Sequence, residues 1–259
     1  QYCAFRVGEI ADDPSPIDDG MRWGFGWELG PFQLWDALGF ERTAGRMKEE
    51  GLKLPAWIAT MLEKKAGGFY RVTGGRVAVW DPIAADFAER KADPGRLRLP
   101  LLRESGGVVK SNAGASLVDL GDGIACLEFH SKMNTLGPDI IGMVGKAIAE
   151  VVKNFDGLVV SNQAENFSVG ADLMLVMQEA LEQEWDELNM MVAAFQRATM
   201  ALKYAPVPTV VAPHGLCLGG GAEVVLHGQR TCPSAETYIG LVEVGVGLLP
   251  AGGGCKELY

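Results

Sequence analysis

The chain has 259 residues, of which 48% are hydrophobic and 22% are charged, with 33 acidic side chains against 23 basic ones. This composition argues against disorder, and no apolar run approaches the roughly 18 residues that a membrane-spanning helix needs. Five Cys without CxxC or His-x-His spacing predict reduced thiols in a cytoplasmic compartment, with neither a disulfide framework nor a metal site.

The charge is distributed unevenly along the chain. Residues 1–110 hold 16 basic and 16 acidic residues, whereas residues 111–259 hold 7 and 17, so the net charge of −10 lies entirely in the second part. This asymmetry predicts two modules. An acidic body without a basic stripe argues against a nucleic-acid partner, although backbone N–H groups and one or two Lys can still bind phosphate locally.

The first module is predicted to be mainly helical. Apolar residues recur at helical intervals through residues 1–66, with breaks at prolines and glycines. Residues 69–72 and 76–80 flank Gly74-Gly75 and predict a β-hairpin. A mixed, proline-containing stretch follows. The predicted domains are therefore 1–94 and 113–259, joined by a linker over 95–112.

The second module alternates strands with helices. Strands are predicted at 115–120, 123–129, 157–161 and 208–211, and helices at 136–154, over 175–204 as one or two helices, and from 219 to 226. Strand–helix–strand order predicts a largely parallel sheet with covering helices.

Three glycine-containing stretches of the second module are candidates for chemistry. Residues 166–173 follow a buried strand, and the alternative is an ordinary strand-to-helix turn capped by Asp172. Gly219-Gly220-Gly221 opens a helix, whose first N–H groups have no intrahelical acceptors and are suited to an oxyanion hole. The alternative is a tight turn or close helix packing. Glu223 lies in that helix's first turn, where the dipole alone also favours a carboxylate.

The third stretch, residues 238–254, is apolar and rich in glycine but contains Glu243. A carboxyl group in such surroundings has a raised pKa if it is buried, which makes it a usable general acid or base. The alternative is a solvent-exposed position at an edge.

Taken together, these motifs resemble a known family. Gly170-Ala171-Asp172-Leu173, then GGG-x-E at 219–223, then a Glu seven residues before Pro250 occur in the order typical of the crotonase (enoyl-CoA hydratase/isomerase) superfamily. Residues 126–136 also look like that family's opening, where CoA lies. The resemblance covers about residues 113–259 and implies an α/β domain of the ββα-superhelix type.

The resemblance implies roles for individual residues. The N–H groups of Ala171 and Gly220 correspond to the two oxyanion-hole donors, and Glu223 and Glu243 to the catalytic carboxylates. A CoA thioester is the implied substrate, and its implied contacts are Lys132 as phosphate partner together with Met133, Asn134, Val169 and Asp172.

The same resemblance implies a reaction. Family members that hydrate trans-2-enoyl-CoA hold one water between both acids, with Glu243 protonating the α-carbon and Glu223 activating the water. Family isomerases often lack the equivalent of Glu223, so hydration is favoured. An isomerase or epimerase, and a non-catalytic module that binds acyl-CoA or only oligomerises, remain alternatives.

The first module resembles a second family. Residues 17–39, and Gly30-Pro31-Phe32 in particular, look like the helical C-terminal domain of 3-hydroxyacyl-CoA dehydrogenases, although Trp and Phe are also ordinary helix-core residues. The implied architecture is an α+β multidomain protein with an all-helical domain before the crotonase-like one. This order resembles bacterial bifunctional β-oxidation proteins, which implies a homo-oligomer.

The chain nevertheless lacks a G-x-G-x-x-G fingerprint, and its three His all lie in the second module. NAD is therefore expected only in a longer protein. The chain is expected to be an internal fragment of that protein, without the C-terminal part of the crotonase-like domain.

Overall fold

The computed structural model describes residues 1–91, 93 and 95–259. Within them the chain divides into two compact units, Gln1–Arg96 and Leu97–Tyr259. Pro94, near which the linker is predicted to begin, lies outside the described residues. Among the helices of the described residues, none combines the length and hydropathy that a bilayer crossing demands.

Residues 1–66 of the first unit are helical, as predicted. The helices are α1 (Tyr2–Arg6), α2 (Pro14–Phe25), α3 (Pro31–Leu38), α4 (Phe40–Glu49) and α5 (Ala56–Glu63). Gly39 ends α3 with a φ of +89°, a backbone conformation that glycine adopts without steric cost.

An aromatic cluster forms the core of this unit. Phe69 is fully buried, and its ring centroid lies 4.9 Å from that of Phe32 and 5.1 Å from those of Trp35 and Phe40. All three rings meet Phe69 edge-on, the geometry that aromatic quadrupoles favour. The Trp and Phe side chains singled out in the sequence are thus, in part, ordinary core residues.

Two carboxylates, the buried Asp18 of α2 and the half-buried Asp36 of α3, hold neighbouring elements of this unit together. Asp18 accepts hydrogen bonds from the backbone N–H groups of Phe32 (2.8 Å) and Gln33 (3.0 Å) at the start of α3, and from the Tyr70 hydroxyl (2.7 Å). Asp36 accepts from the N–H of Phe69 at 2.9 Å. Both side chains therefore satisfy backbone donors that would otherwise be buried without partners.

The prediction of an all-helical first domain is wrong, because the unit also contains a three-stranded antiparallel sheet. Its strands are β1 (Tyr70–Thr73), β2 (Arg76–Asp81) and β3 (Asp86–Glu89). The predicted hairpin is confirmed, and Gly74 and Gly75 both have positive φ, as a two-residue hairpin turn requires. β3 is short and largely exposed, so its sequence carries no apolar alternation that would reveal it.

Residues 97–112, assigned to the linker from the sequence, carry secondary structure of the second unit. They contain α6 (Leu99–Glu104) and β4 (Val108–Ser111), and β4 pairs antiparallel with the next strand. Leu99 is buried against the sheet. Pro100 occupies the first turn of α6, where a missing N–H costs nothing, so the proline marked a helix start.

The second unit is built on a mixed sheet. The strands after β4 are β5 (Ala115–Gly121), β6 (Ile124–Phe129), β7 (Gly157–Ser161), β8 (Thr209–Val211), β9 (Leu216–Leu218), β10 (Arg230–Thr231) and β11 (Tyr238–Gly240). Six of the unit's strands form one sheet in the order β10-β8-β7-β6-β5-β4. β6, β7, β8 and β10 run parallel, as predicted, whereas β4, β5 and β6 are antiparallel. β9 and β11 form a separate parallel pair.

Helices cover this sheet and complete its core. They are α7 (Pro138–Asn154), α8 (Leu173–Leu181), α9 (Trp185–Lys203), α10 (Gly220–Leu226) and α11 (Gly254–Glu257). α7 buries Ile140, Met143, Val144, Ala147 and Val151, the spacing of one helix face. The region predicted as one or two helices thus forms two, α8 and α9.

Candidate active site

A cavity of about 670 Å³ lies in the second unit among α7, α8, α9 and the start of α10. Its wall is mainly apolar, but two carboxyl groups and two glycine-rich turns also reach it. Six of the nine site residues predicted from the sequence line this cavity: Val169, Ala171, Asp172, Gly220, Glu223 and Glu243. The fold therefore brings all four predicted catalytic groups to one space.

The two predicted N–H donors lie on neighbouring peptide segments. Ser168 accepts from the N–H of Leu218 at 2.9 Å, which draws the two segments together. A Cβ atom on Gly170 would lie 2.8 Å from the Leu218 carbonyl oxygen and 3.3 Å from the Gly220 nitrogen, so only glycine permits this approach. Within the described residues, neither the N–H of Ala171 nor that of Gly220 donates to a protein acceptor.

Glu223 lies on the first turns of α10 and is 2% exposed. Its Oε1 accepts the backbone N–H of Gly254 at 2.8 Å. Burial raises the pKa of the Glu223 carboxyl, the Gly254 N–H lowers it, and the charge of Glu243 raises it again. The Gly254 N–H therefore orients the buried Glu223 carboxyl group, whose pKa is raised overall.

Glu243 begins a short 3₁₀ helix, Glu243–Val246, and is half-buried. The parallel pairing of β9 with β11 carries the chain back beside Gly219, so that a Cβ on Gly219 would lie 3.2 Å from Glu243 Oε1. Its Oε2 is buried and makes no hydrogen bond to any described residue. The alternative of a solvated edge position therefore does not hold for Glu243.

Three predicted CoA contacts lie away from the cavity wall. Lys132 and Met133 are exposed, whereas Asn134 is buried behind the loop that carries Ala171. Asn134 donates to the Asn166 carbonyl at 2.9 Å and accepts from the Ser168 hydroxyl at 2.7 Å. Asn134 thus supports the loop of the N–H donors.

Asp172 lines the cavity but also caps α8. Its Oδ1 accepts the N–H of Met174 at 3.1 Å and that of Leu175 at 3.4 Å. The capping interpretation of the sequence is therefore confirmed, and a ligand role for Asp172 stays a prediction.

Sequence reasoning did not single out Phe195, which lies in the apolar wall of the site. Phe195 of α9 packs against Gly220 and Gly252, and Leu136 also packs against Gly220. The signal for Phe195 was only an apolar residue at a helical interval, which any core residue shares. No group of three or more His, Cys, Asp or Glu side chains suited to a metal ion occurs in the described part of the chain.

This arrangement defines a class of protein. Two N–H groups without protein acceptors, beside two carboxyl groups in an apolar cavity, can stabilise charge on a carbonyl oxygen while protons are transferred nearby. The sequence profile described as "Enoyl-CoA hydratase/isomerase" matches residues 123–258, about half of the chain. The chain belongs to the enoyl-CoA hydratase/isomerase family, within the crotonase superfamily of enzymes.

Relatives match the whole chain. A Bacillus subtilis (strain 168) protein named "Probable 3-hydroxyacyl-CoA dehydrogenase" is 46% identical over 258 residues, which span 100% of this chain and 32% of that protein. A Rickettsia felis protein named "Putative fatty acid oxidation complex trifunctional enzyme" is 26% identical over 100% of this chain and 33% of its own length. The chain thus spans about a third of the length of these curated relatives.

Solved structures support the fold of the second unit. An enoyl-CoA hydratase from Polaromonas sp. JS666 matches with a TM-score of 0.54 and 19% identity, over 56% of this chain and 57% of that one. An enoyl-CoA hydratase from Bacillus anthracis matches with a TM-score of 0.51 and 19% identity, over 56% and 57%. At this identity the likeness concerns the crotonase-like fold.

Proposed function

We propose that the second unit adds water across the double bond of a trans-2-enoyl-CoA, giving a 3-hydroxyacyl-CoA. One observation carries this proposal: the N–H groups of Ala171 and Gly220 and the carboxyl groups of Glu223 and Glu243 border the same apolar cavity. Family membership and the place of the chain among relatives named for fatty acid oxidation support a CoA thioester as substrate.

Each of the four site groups has its own role in the proposed reaction. The thioester oxygen accepts the N–H groups of Ala171 and Gly220, which stabilise the enolate as it forms by roughly 3 kcal/mol for each donor. The Glu223 carboxylate takes a proton from water while the water oxygen bonds to C3. Glu243 donates a proton to C2, and the proton that Glu223 took from water returns to Glu243 through solvent before the next turnover. The elements of one water are thus added, and both carboxyl groups regain their starting states.

Hydration is tested by following the loss of enoyl thioester absorbance when the chain is mixed with crotonyl-CoA. A Glu243→Gln variant keeps the shape of the side chain but cannot transfer the proton, so we expect turnover to fall by roughly 10²–10⁴-fold. Glu104→Gln, an exposed change on α6, is the matched control. Equal turnover in wild type and Glu243→Gln would contradict the proposal.

An isomerase or epimerase is the alternative within the family. Glu223 distinguishes the hydratase from the isomerase reaction. Moving a double bond needs one group that transfers a proton, whereas hydration needs a second group to activate water. Glu223→Ala should therefore abolish hydration and spare isomerisation of a 3-enoyl-CoA. Equal loss of both activities would exclude the isomerase alternative.

For a longer protein of the relatives' kind, we propose a second activity, the NAD-dependent oxidation of the 3-hydroxyacyl-CoA product, within a homo-oligomer. The dehydrogenase name of the Bacillus subtilis relative supports it. The sequence of residues 17–39, which resembles dehydrogenase C-terminal domains, is consistent with it. NADH formation from 3-hydroxybutyryl-CoA by the longer protein, but not by this chain, is the expected result.

A further inference from the structure

Helix α9 presents three polar side chains, spaced about one helical turn apart, to residues 251–257, of which Ala251 and Gly252 line the cavity. Gln196 donates to the Ala251 carbonyl at 2.7 Å, and Thr199 donates to the Gly252 carbonyl at 3.1 Å. Lys203 forms an ion pair with Glu257 at 2.5 Å. Residues three or four positions apart lie on one helix face, so these anchors form a continuous row.

The anchored segment encloses the carboxyl group of Glu223. Gly254 donates its N–H to Glu223 Oε1 at 2.8 Å. A Cβ on Gly252 would lie 2.5 Å from Glu223 Oε2, and one on Gly254 would lie 3.1 Å from Oε1. Gly252 therefore requires glycine, because a Cβ there would overlap both Glu223 Oε2 and the Phe195 ring, whereas a Cβ on Gly254 would first meet the Leu241 side chain, at 2.8 Å.

We propose that Thr199 is a positioning residue for Glu223, acting through the Gly252–Gly254 turn. By holding the Gly252 carbonyl, the hydroxyl fixes the plane of the peptides that follow and so aims the Gly254 N–H at Oε1. This role rests on the hydratase function proposed above, in which Glu223 must face the water.

Thr199 is the strongest of the three anchors because it is buried. Its side chain belongs to a residue that is 1% exposed, whereas Gln196 is exposed and the Lys203 side chain is 34% exposed. Exposed polar contacts compete with water and contribute little. The Thr199 hydroxyl has a single proton, which the Gln196 carbonyl at 3.0 Å and the Gly252 carbonyl at 3.1 Å share. Removing the hydroxyl leaves the Gly252 carbonyl without this donor.

Loss of the Thr199 hydrogen bond is expected to change the pKa of Glu223. The Gly254 N–H lowers the pKa of Glu223, so moving that N–H away raises the pKa further. The titratable groups that face Glu223 are Glu243, on the 3₁₀ helix, and His227, whose Nδ1 lies 2.7 Å from the Glu223 carbonyl oxygen. Thr199 is hydrogen-bonded to neither of them among the described residues, whereas the His227 ring lies against Gly253 of the same turn, where a Cβ would lie 2.9 Å from it.

The test compares Thr199→Val with Thr199→Ser, which keeps the hydroxyl. The matched control is Thr209→Val, which also removes a hydroxyl from a residue 1% exposed but on β8, away from the turn. The pKa of Glu223 is measured by carbon-13 NMR of its carboxyl carbon, assigned with Glu223→Gln. Hydrogen exchange of the Gly254 amide and steady-state hydration are measured on the same variants.

We expect Thr199→Val to raise the pKa of Glu223, to speed exchange of the Gly254 amide about tenfold, and to lower kcat about tenfold with little change in KM. Thr199→Ser should restore wild-type values, and Thr209→Val should lower only the urea midpoint. If Thr199→Val does not fold, Gln196→Met on the exposed anchor should give smaller changes in the same direction.

An unchanged pKa and unchanged Gly254 exchange in Thr199→Val would overturn the positioning role, whatever happens to turnover. The same holds if Thr209→Val reproduces both changes, because the effect would then be general destabilisation. A wild-type chain without hydratase activity would contradict the proposed function alone, since the NMR measurements still decide whether Thr199 positions the carboxyl.

Discussion

The two units use buried carboxyl groups in opposite ways. In the first unit, Asp18 is fully buried and accepts three hydrogen bonds, two of them from the backbone at the start of α3. In the second unit, Glu243 Oε2 is buried with no hydrogen-bond partner among the described residues, and Glu223 faces a cavity. A carboxylate with both oxygens occupied by donors, such as Asp18, holds structure, whereas a carboxylate that keeps an oxygen without a donor beside a cavity retains capacity for a substrate or water.

The largest change in stability that we expect comes from a substitution in the aromatic core of the first unit. Phe69→Ala removes a ring that packs against four others and should lower the free energy of unfolding by about 3–5 kcal/mol. Five of the six Trp lie in the first unit, so urea unfolding followed by Trp fluorescence reports on it.

Phe25→Ala is the control for that experiment, since Phe25 is 72% exposed. We expect hydration of crotonyl-CoA to persist in both variants. If Phe69→Ala lowers both the urea midpoint of Trp fluorescence and the turnover of crotonyl-CoA, the first unit is not purely structural, and the contrast between the two units is contradicted.

The second effect concerns the N–H donors. Gly220→Pro deletes one donor at a helix position that tolerates proline, and should lower turnover by roughly 10²–10³-fold. Gly220→Ala is the matched control, because it adds a Cβ near Phe195 but keeps the N–H.

The same pair of variants addresses the non-catalytic alternative for the second unit. A module that only binds acyl-CoA or oligomerises would show no difference between Gly220→Pro and Gly220→Ala in turnover or in acyl-CoA affinity. A loss confined to the proline variant, with an unchanged far-ultraviolet circular dichroism spectrum, would exclude that alternative.

The smallest effect that we expect is a pH dependence of the stability of the first unit. Burial raises the pKa of Asp36 from 3.8 to about 6, against the lowering effect of the Phe69 N–H. The folded state therefore binds the proton more tightly, so this group's stabilising contribution is present below pH 3.8 and is lost as the pH rises through 6.

Asp36→Asn should remove that slope, and Asp12→Asn, on an exposed residue, should not. The measurement is the fluorescence-detected urea midpoint at pH 4.5 and pH 6.5. An equal slope in wild type and Asp36→Asn would show that the Asp36 carboxyl is not perturbed in the folded unit.

The helices and strands that could be predicted from the sequence are those with a local pattern of apolar residues or turn glycines. The apolar spacing of α7 and the short buried strands β6 and β7 are visible in the sequence because each depends on residues within a few positions. The same holds for the hairpin at Gly74-Gly75. β3 was missed because an exposed edge strand carries no such pattern, and β4 because the prolines before it suggested a linker.

The order of strands and helices in the second unit follows from the sequence, as do the motifs that contain Ala171, Gly220, Glu223 and Glu243. The folded chain was needed to show which of these residues share a cavity, that Asn134 supports a loop, and that Gly254 holds Glu223. These contacts join residues that lie far apart along the chain. The Gly254 amide and the Glu223 carboxyl are 31 residues apart, and what joins them is packing against α9 and the pairing of β9 with β11, which no local pattern specifies.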